Sequence, residues 1–595
     1  LESIDIPIHE NGILIYIRES PALRRIYAFL KRPLVVSLVT TIVFFVVFLV
    51  FLHPGYETDD DISIISLASG YLGGKPIPFL VFSNVVWGLL LTSLYALHSR
   101  INWEVLLFFV LNFISTSGLI YLVLSRPWRE LHKLFGVLVI LLADAYFLVN
   151  INFTTMAAFA SISGFCLQLA GVRPHSSLRK GLFFLGSGLV LAGCLIRIEA
   201  MFLALALVLS SLVFCAGSFK LKNLILALAV TGGLVAGSYV FDRLYVQSSP
   251  EWNTYYLYNQ TRSMLHDTPR LVNIGTLYQK VGWSQNDLVM FTHWFFPDVK
   301  TYSLEHLQYL VKIVPNTRTN LFITLRIFVG SLLEPATIPY LMMIAAIWLA
   351  AWVYRARKRT LLPLLTLTAI SFGLGVFLAW SMKLPARVLL SLLAALSIDG
   401  LFILDWTGSF EQQVASTSLR NRSFSRYAKY CIGLFMLAAV GLVTFQSIQA
   451  ARVYITRQAA YERILADLED LQNQGKIEEN ALIVSPASGI PIEWSNPMIL
   501  ELPRIQYLPM GWLTFSPVYE SVLKQFGNGS LPDELYQKRN VYLLTRPNLM
   551  FGVRQFIREH AGIQVTTHVI YQMPNISGES DYKNLVLYSV IQKGK

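Results

Sequence analysis

About eleven apolar runs, each long enough to cross a bilayer, succeed one another along this 595-residue chain, and nothing else in it constrains the fold as much. They fall at 34–52, 103–124, 134–150, 154–171, 181–197, 200–216, 223–241, 336–354, 361–380, 386–404 and 430–449. Inside hydrocarbon a backbone N–H or C=O has no water to bond, so runs of this length are helices. Hydrophobic residues make up 54% of the chain and charged ones 14%, which excludes an ordinary soluble protein. The net charge of +12 is no sign of nucleic acid, because the basic residues sit in short clusters between apolar runs, as in cytoplasmic loops. Cys166, Cys194, Cys215 and Cys431 all lie in apolar stretches, so no disulfide framework or thiolate metal site is expected.

Charge parity then sets the topology. Arg18, Arg24, Arg25, Lys31 and Arg32 place an amphipathic segment, 1–33, in the cytoplasm and the loop that follows the first run outside. Phe79 to His98 is apolar enough to span. If it did, the basic loops at Arg126 to Lys133, Arg173 to Lys180, Lys220 to Lys222 and Arg355 to Arg359 would all lie outside, against the positive-inside bias. Lying in the outer interface, it returns every one of them to the cytoplasm, and that reading is adopted. A second outer loop, 242–335, is rich in aromatics and ends in an apolar stretch, Leu321 to Leu333, that dips back to the membrane.

From 451 the chain is polar, with a charged helical pattern and then β-prone runs at 481–484, 541–544, 564–571 and 584–591 around a helical stretch, 547–560. The expected fold is a polytopic α-helical membrane protein, with outer interfacial helices and a small soluble α/β domain at the C-terminus. Its parts are 1–33, a transmembrane body at 34–450 with outer loops 53–102 and 242–335, and an extracytoplasmic domain at 451–595.

The chemistry concentrates in His53 to Pro78, where Asp59, Asp60 and Asp61 stand together. Thr58 as N-cap and acids in a first turn describe a helix start, and the helix dipole accounts for carboxylates there. A cap needs one acid, however, and three in succession repel, so a raised pKa suited to a general base is the second reading. In the expected helix Asp59, Ser63, Ser66 and Gly70 form a polar stripe opposite Ile64, Leu67, Ala68 and Tyr71, which lays the helix on the outer leaflet, apolar side down. The stripe by itself singles out Asp59.

Cations stand where the positive-inside bias disfavours them: Arg197 beside Glu199, and Lys383 with Arg387 in WSMKLPARV. Either an internal ion pair or a lipid phosphate compensates them. Trp252, Tyr255, Tyr256 and Tyr258 serve either as a membrane-interface belt or as sugar-stacking faces, and His293 with Asp298, or His266 with Asp267, as acceptor or metal contacts.

This pattern resembles the GT-C superfamily of membrane glycosyltransferases, which includes protein O-mannosyltransferases, aminoarabinose transferases and oligosaccharyltransferases. Asp60-Asp61, Ala68, Gly74 and Lys75-Pro76-Ile77-Pro78 match the family's first outer loop in register. The resemblance makes Asp60 the counterpart of the family's catalytic Asp, with Asp61 at the Glu position and Asp59 beside them. Arg387 in LPARV is similar to the family's lipid-phosphate contact, and Arg197 stands where relatives often carry Lys or Arg. Asp rather than Glu at 61 departs from the family, and no second DxD motif follows.

The resemblance implies a multi-pass plasma-membrane enzyme that moves a sugar from a polyprenyl-phosphate donor to an envelope glycan, lipid or protein at the outer face, with no nucleic-acid partner. Asp60 is the expected base, with Arg387, Arg197 and Lys383 on the donor phosphate and Tyr255, Trp252 and His293 near sugar or acceptor. No cofactor is required by the sequence, and the need for a divalent ion, Mg or Mn, stays open. The competing readings are a transporter or flippase, which would carry repeated halves, and a non-catalytic assembly protein, in which the acids would tolerate substitution.

Overall fold

The structure, a computed structural model, describes residues 29–173, 179–215, 219–316, 320–353, 358–407, 422–486, 490–527, 529–573 and 584–593. Most of the expected segment 1–33, and parts of the basic loops at 173–180 and 355–359, lie outside the described residues. Among the described residues, 10 helices are long and apolar enough to cross a membrane, and this is a multi-pass membrane protein. The eleventh expected span is also helical, Arg179–Ile196, but its apolar part from Lys180 is shorter than the others.

Two helices form the centre of the bundle. Phe153–Val172 is buried at every position and Ala386–Trp406 over 94% of its apolar window, while the outer helix Leu221–Gln247 is 11% buried and the first, Pro33–Phe51, 22%. Composition explains the contrast. Phe153–Val172 is rich in Ala, Ser and Gly, and small residues let helices approach where lipid supplies no hydrophobic drive. A Cβ on Gly164 would lie 2.7 Å from the Gly186 carbonyl oxygen of the neighbouring helix. Gln168 ties that contact by donating to Ser187 at 3.0 Å and Thr231 at 2.8 Å.

The central helix Ala386–Trp406 also separates two ends of the molecule. Arg387, at its start, meets Asp60, and Asp405, near its end, pairs with Arg126 at 3.1 Å and Arg173 at 2.8 Å. At 1.5 Å per residue those positions are about 27 Å apart, close to the thickness of a hydrocarbon core. Arg126 and Arg173, from two of the basic loops, therefore lie at the end opposite the acidic loop. Val85–Leu97 has 13 residues, about 20 Å, and is too short to span.

The last long helix, Arg422–Asn473, runs unbroken for 52 residues, apolar first and charged later, and delivers the chain to the C-terminal domain. There a five-stranded sheet has the order β4-β3-β5-β7-β6, with β3 Leu482–Ser485, β4 Gln506–Pro509, β5 Val541–Thr545, β6 Val565–Gln572 and β7 Val586–Gln592. β3 pairs in parallel with β4 and β5, and β7 runs antiparallel between β5 and β6. The four β-prone runs and the helix Pro547–Ala561 stand where the sequence puts them, and β4 is the strand that the sequence reading lacks.

One expectation fails. The helix Asp59–Ala68 does not lie on a leaflet with one apolar side down: every residue from Asp61 to Ala68 is buried, Ser63 and Ser66 included. The C-terminal domain lies over it. Tyr71 donates to the Pro503 carbonyl at 2.6 Å, Asn102 to the Pro497 carbonyl at 2.9 Å, and Ile101 bridges to Ile499. What amphipathicity assigned to water is covered by protein.

Candidate active site

The acidic loop is fixed to the bundle by backbone pairing before its side chains do anything. Gly55–Tyr56 (β1) pairs in parallel with Asn150–Ile151 (β2), and Glu57 N–H continues the ladder to the Ile151 carbonyl at 3.0 Å. Only glycine fits at 55, because a Cβ there would lie 2.2 Å from the Tyr454 ring, whose hydroxyl donates to Asn150 at 2.7 Å. Thr58 is the N-cap residue in extended conformation, but its side chain makes no capping bond; the three acids occupy the first turn.

The three acids separate in role. Asp61 is fully buried. Its Oδ1 accepts the Phe153 backbone N–H at 2.7 Å and its Oδ2 the Asn152 side chain at 3.3 Å. It thus receives an orphan N–H at the N-terminus of the central helix, where the dipole favours a carboxylate. Asp61 does not line the cavity that Asp59 and Asp60 share, and it anchors the loop.

Asp59 and Asp60 line a cavity of about 260 Å³ together with Thr58, Ser63, Trp294 and Arg387. Arg387 Nη2 donates to Asp60 Oδ2 at 3.3 Å. Burial raises both carboxyls above the usual range, and Asp59 rises further because Asp60 and Glu493 repel its charge, while at Asp60 Arg387 and Arg197 pull the other way. Of the adjacent pair Asp60 is therefore the one with cations beside it, and Asp59 the one raised further. Nearby, burial pushes Glu57 up to about 7 against the pull of Arg387.

Arg197 lies among aromatics. Its guanidinium is 4.8 Å from the Phe153 ring centroid and 5.8 Å from that of Phe82; it donates to Thr154 at 2.9 Å and reaches Glu199 at 3.7 Å. Lys383 pairs with Asp267 at 3.6 Å and lies 3.4 Å from His266 Nδ1. Burial works to raise Asp267, but the bond to His266 and the charge of Arg262 hold its carboxyl below the usual range.

The aromatic expectations divide. Trp252 stacks on Phe79 at 4.8 Å and is buried, and the Tyr255 hydroxyl donates to the Trp512 carbonyl, so both wedge the outer loop against the rest of the protein rather than facing the cavity. His293 lines a different cavity, beside Pro547–Ala561. None of these three lines the acid cavity, and the residue next to His293, Trp294, does.

Much of the remaining wall comes from the C-terminal domain: Ile490, Ile492 and Glu493 after β3, and Tyr507 with Pro509 to Leu513 at and beyond β4. These are the carboxyl ends of two parallel strands, the usual ligand-facing edge of such sheets. Among the described residues, the group that could hold a metal ion is Asp287, Glu559 and His560, where His560 Nε2 lies 3.0 Å from Asp287 Oδ1. None of the three lines the acid cavity.

The architecture has solved counterparts. The chain superimposes on the crystal structure of ArnT from Cupriavidus metallidurans, in the apo state and bound to undecaprenyl phosphate, with a TM-score of 0.50 in each case over 93% of this chain and 97% of that one. Its fold is that of ArnT. Sequence identity is 12% to the apo form and 13% to the bound one, so the likeness is one of fold. No protein-family model and no curated protein matches the sequence. The likeness of fold covers 93% of this chain and so includes the C-terminal domain, which the sequence alone leaves without a counterpart.

Proposed function

We propose that this protein is an inverting glycosyltransferase that takes a sugar from a polyprenyl-phosphate donor at the outer face of the membrane and gives it to a hydroxyl of an envelope acceptor. The observation that carries the reading is the Asp60–Arg387 pair at the mouth of the central helix, inside a cavity enclosed by both domains. The ArnT fold, crystallised with undecaprenyl phosphate in the counterpart, supports the donor class.

In the reaction the acceptor oxygen attacks C1 of the sugar and its proton passes to Asp60, while the bond between C1 and the phosphate oxygen breaks. The electron pair leaves on the polyprenyl phosphate, where Arg387 meets it as the Asp60 charge is neutralised. Arg387 is the second residue of its helix, so the helix N-terminus adds positive potential at the same point. Arg197, whose charge acts on Asp60, serves as an auxiliary cation, and Lys383 acts from the Asp267 side. No general acid is needed, because phosphate is already a good leaving group.

The test is sugar transfer by purified protein from undecaprenyl-phosphate-linked sugars to envelope extracts. Turnover should fall by about two to four decades in Asp60→Asn. Unchanged turnover in a folded Asp60→Asn protein sinks the assignment of the base, and failure of the wild type to bind undecaprenyl phosphate sinks the donor.

A further inference from the structure

Trp294, one of the aromatics of the loop 242–335, stands next to His293, and four observations single it out. Its backbone is left-handed, with φ 58°, a conformation uncommon for any residue but glycine and an outlier for a bulky one. Such strain persists where the surroundings hold it in place, and it concentrates at ligand clamps. The turn follows directly on Gln285–Thr292 and its C-cap His293, and it directs residue 294 away from the cavity that His293 lines.

The indole is also held from behind. The Arg262 guanidinium lies 4.4 Å over the ring, and the His266 ring centroid is 4.0 Å away, both from one helix, Pro250–His266, at a spacing of four residues. Arg262 and His266 are each 2% exposed, and Arg262 Nη1 and His266 Nε2 are buried without a hydrogen-bond partner among the described residues. A guanidinium on an aromatic face is compensated there by the ring quadrupole. With that side occupied, the rest of the half-buried indole is left to the cavity.

The other aromatics of the lining have little to offer. Trp512 is 8% exposed and packs edge-on to Phe82 at 4.9 Å, and Tyr507 is 6% exposed. The cavity, about 260 Å³, lies under the range of drug-sized pockets, about 300–1,000 Å³, and suits one sugar unit rather than an oligosaccharide. Asp60 and Arg387 share the lining with Trp294, so a sugar held in this cavity shares it with the indole.

We propose that Trp294 is the stacking platform for the transferred sugar ring, a specificity-determining contact that reads a C–H face of one monosaccharide while Arg387 holds the phosphate. This rests on the donor class proposed above. It gives Arg262 and His266 a purpose as positioning residues, which hold the indole and touch no substrate.

The experiment compares Kd values of the full-length protein for undecaprenyl phosphate and for undecaprenyl phosphate–glucose, in the wild type, Trp294→Phe and Trp294→Leu. Stacking needs only a C–H face, so the wild type should bind the glucose-bearing lipid at least tenfold more tightly than the bare one. Trp294→Phe should keep that preference within threefold. Trp294→Leu, which still covers Arg262 with apolar bulk, should lose it, with the Kd for undecaprenyl phosphate within twofold of wild type in both variants. Equal wild-type affinity for the two lipids overturns the platform, as does a preference that survives in Trp294→Leu. Absence of wild-type binding to undecaprenyl phosphate overturns the donor class and the platform with it.

Discussion

At the scale of single residues, three adjacent aspartates do three different things, and their surroundings decide which. Asp61 is spent on a backbone N–H, Asp59 is raised by burial and then by two neighbouring acids, and Asp60 is raised by burial against the pull of Arg387. The helical stripe in the sequence favours Asp59, because spacing reports which residues share a face and says nothing about a cation 327 positions away. A pH prediction follows from the sign of the Asp60 shift. Burial raises its pKa, and only the ionised form accepts a proton, so activity should disappear as pH falls through a value above the ordinary 3.9 or so. Arg387 lowers that pKa, so Arg387→Gln should move the acid limb of the kcat profile, measured at saturating donor, to higher pH. A limb that stays in place would separate Arg387 from the base.

At the scale of elements, the site is built where two buried helices begin and a short parallel ribbon pins a loop between them. Asp61→Ala removes the acceptor of the Phe153 N–H and leaves that donor buried and unpaired, at a cost of about 1–3 kcal/mol. Thermal unfolding should show the loss, and Asp61→Asn, which keeps a carbonyl oxygen, should recover part of it. Gly55→Ala should act similarly, by pushing Tyr454 off the ribbon. The helices were legible in the sequence because a run of some twenty apolar residues is a local signal, and so was the acidic turn. The enclosing wall was not. Glu493, Tyr507 and Trp512 join the site through the pairing of β3 with β4, and no periodicity near Asp60 announces a partner more than 400 residues away. The left-handed turn that decides which of His293 and Trp294 lines the acid cavity has no signature such as glycine in FTHWFF.

At the scale of the molecule, the acidic end and the basic end are kept apart by the central helix Ala386–Trp406, and this predicts a labelling pattern. Cysteines introduced at Lys75 and His98 should react with a membrane-impermeant maleimide from one side of a sealed vesicle, and a cysteine at Arg129 only from the other. Labelling of 75 and 98 from opposite sides would mean that the segment between them crosses. Ligand binding should register in the whole protein as well. Undecaprenyl phosphate at about one hundred times its Kd adds about 2.7 kcal/mol to stability, and Arg387→Ala should forfeit most of the resulting rise in unfolding temperature.

The helix Arg422–Asn473 is about 78 Å long and ties the membrane to the wall of the cavity without a break. It behaves as a threaded shaft. One residue inserted beyond Tyr454 turns everything above it by about 100° and lifts it by about 1.5 Å, which carries Glu493 and Trp512 off the acids while leaving every span intact. Length and phase of this one segment are thus matched to the position of Asp60 on the bundle, and the helix sets how far the wall of the cavity stands from the spans.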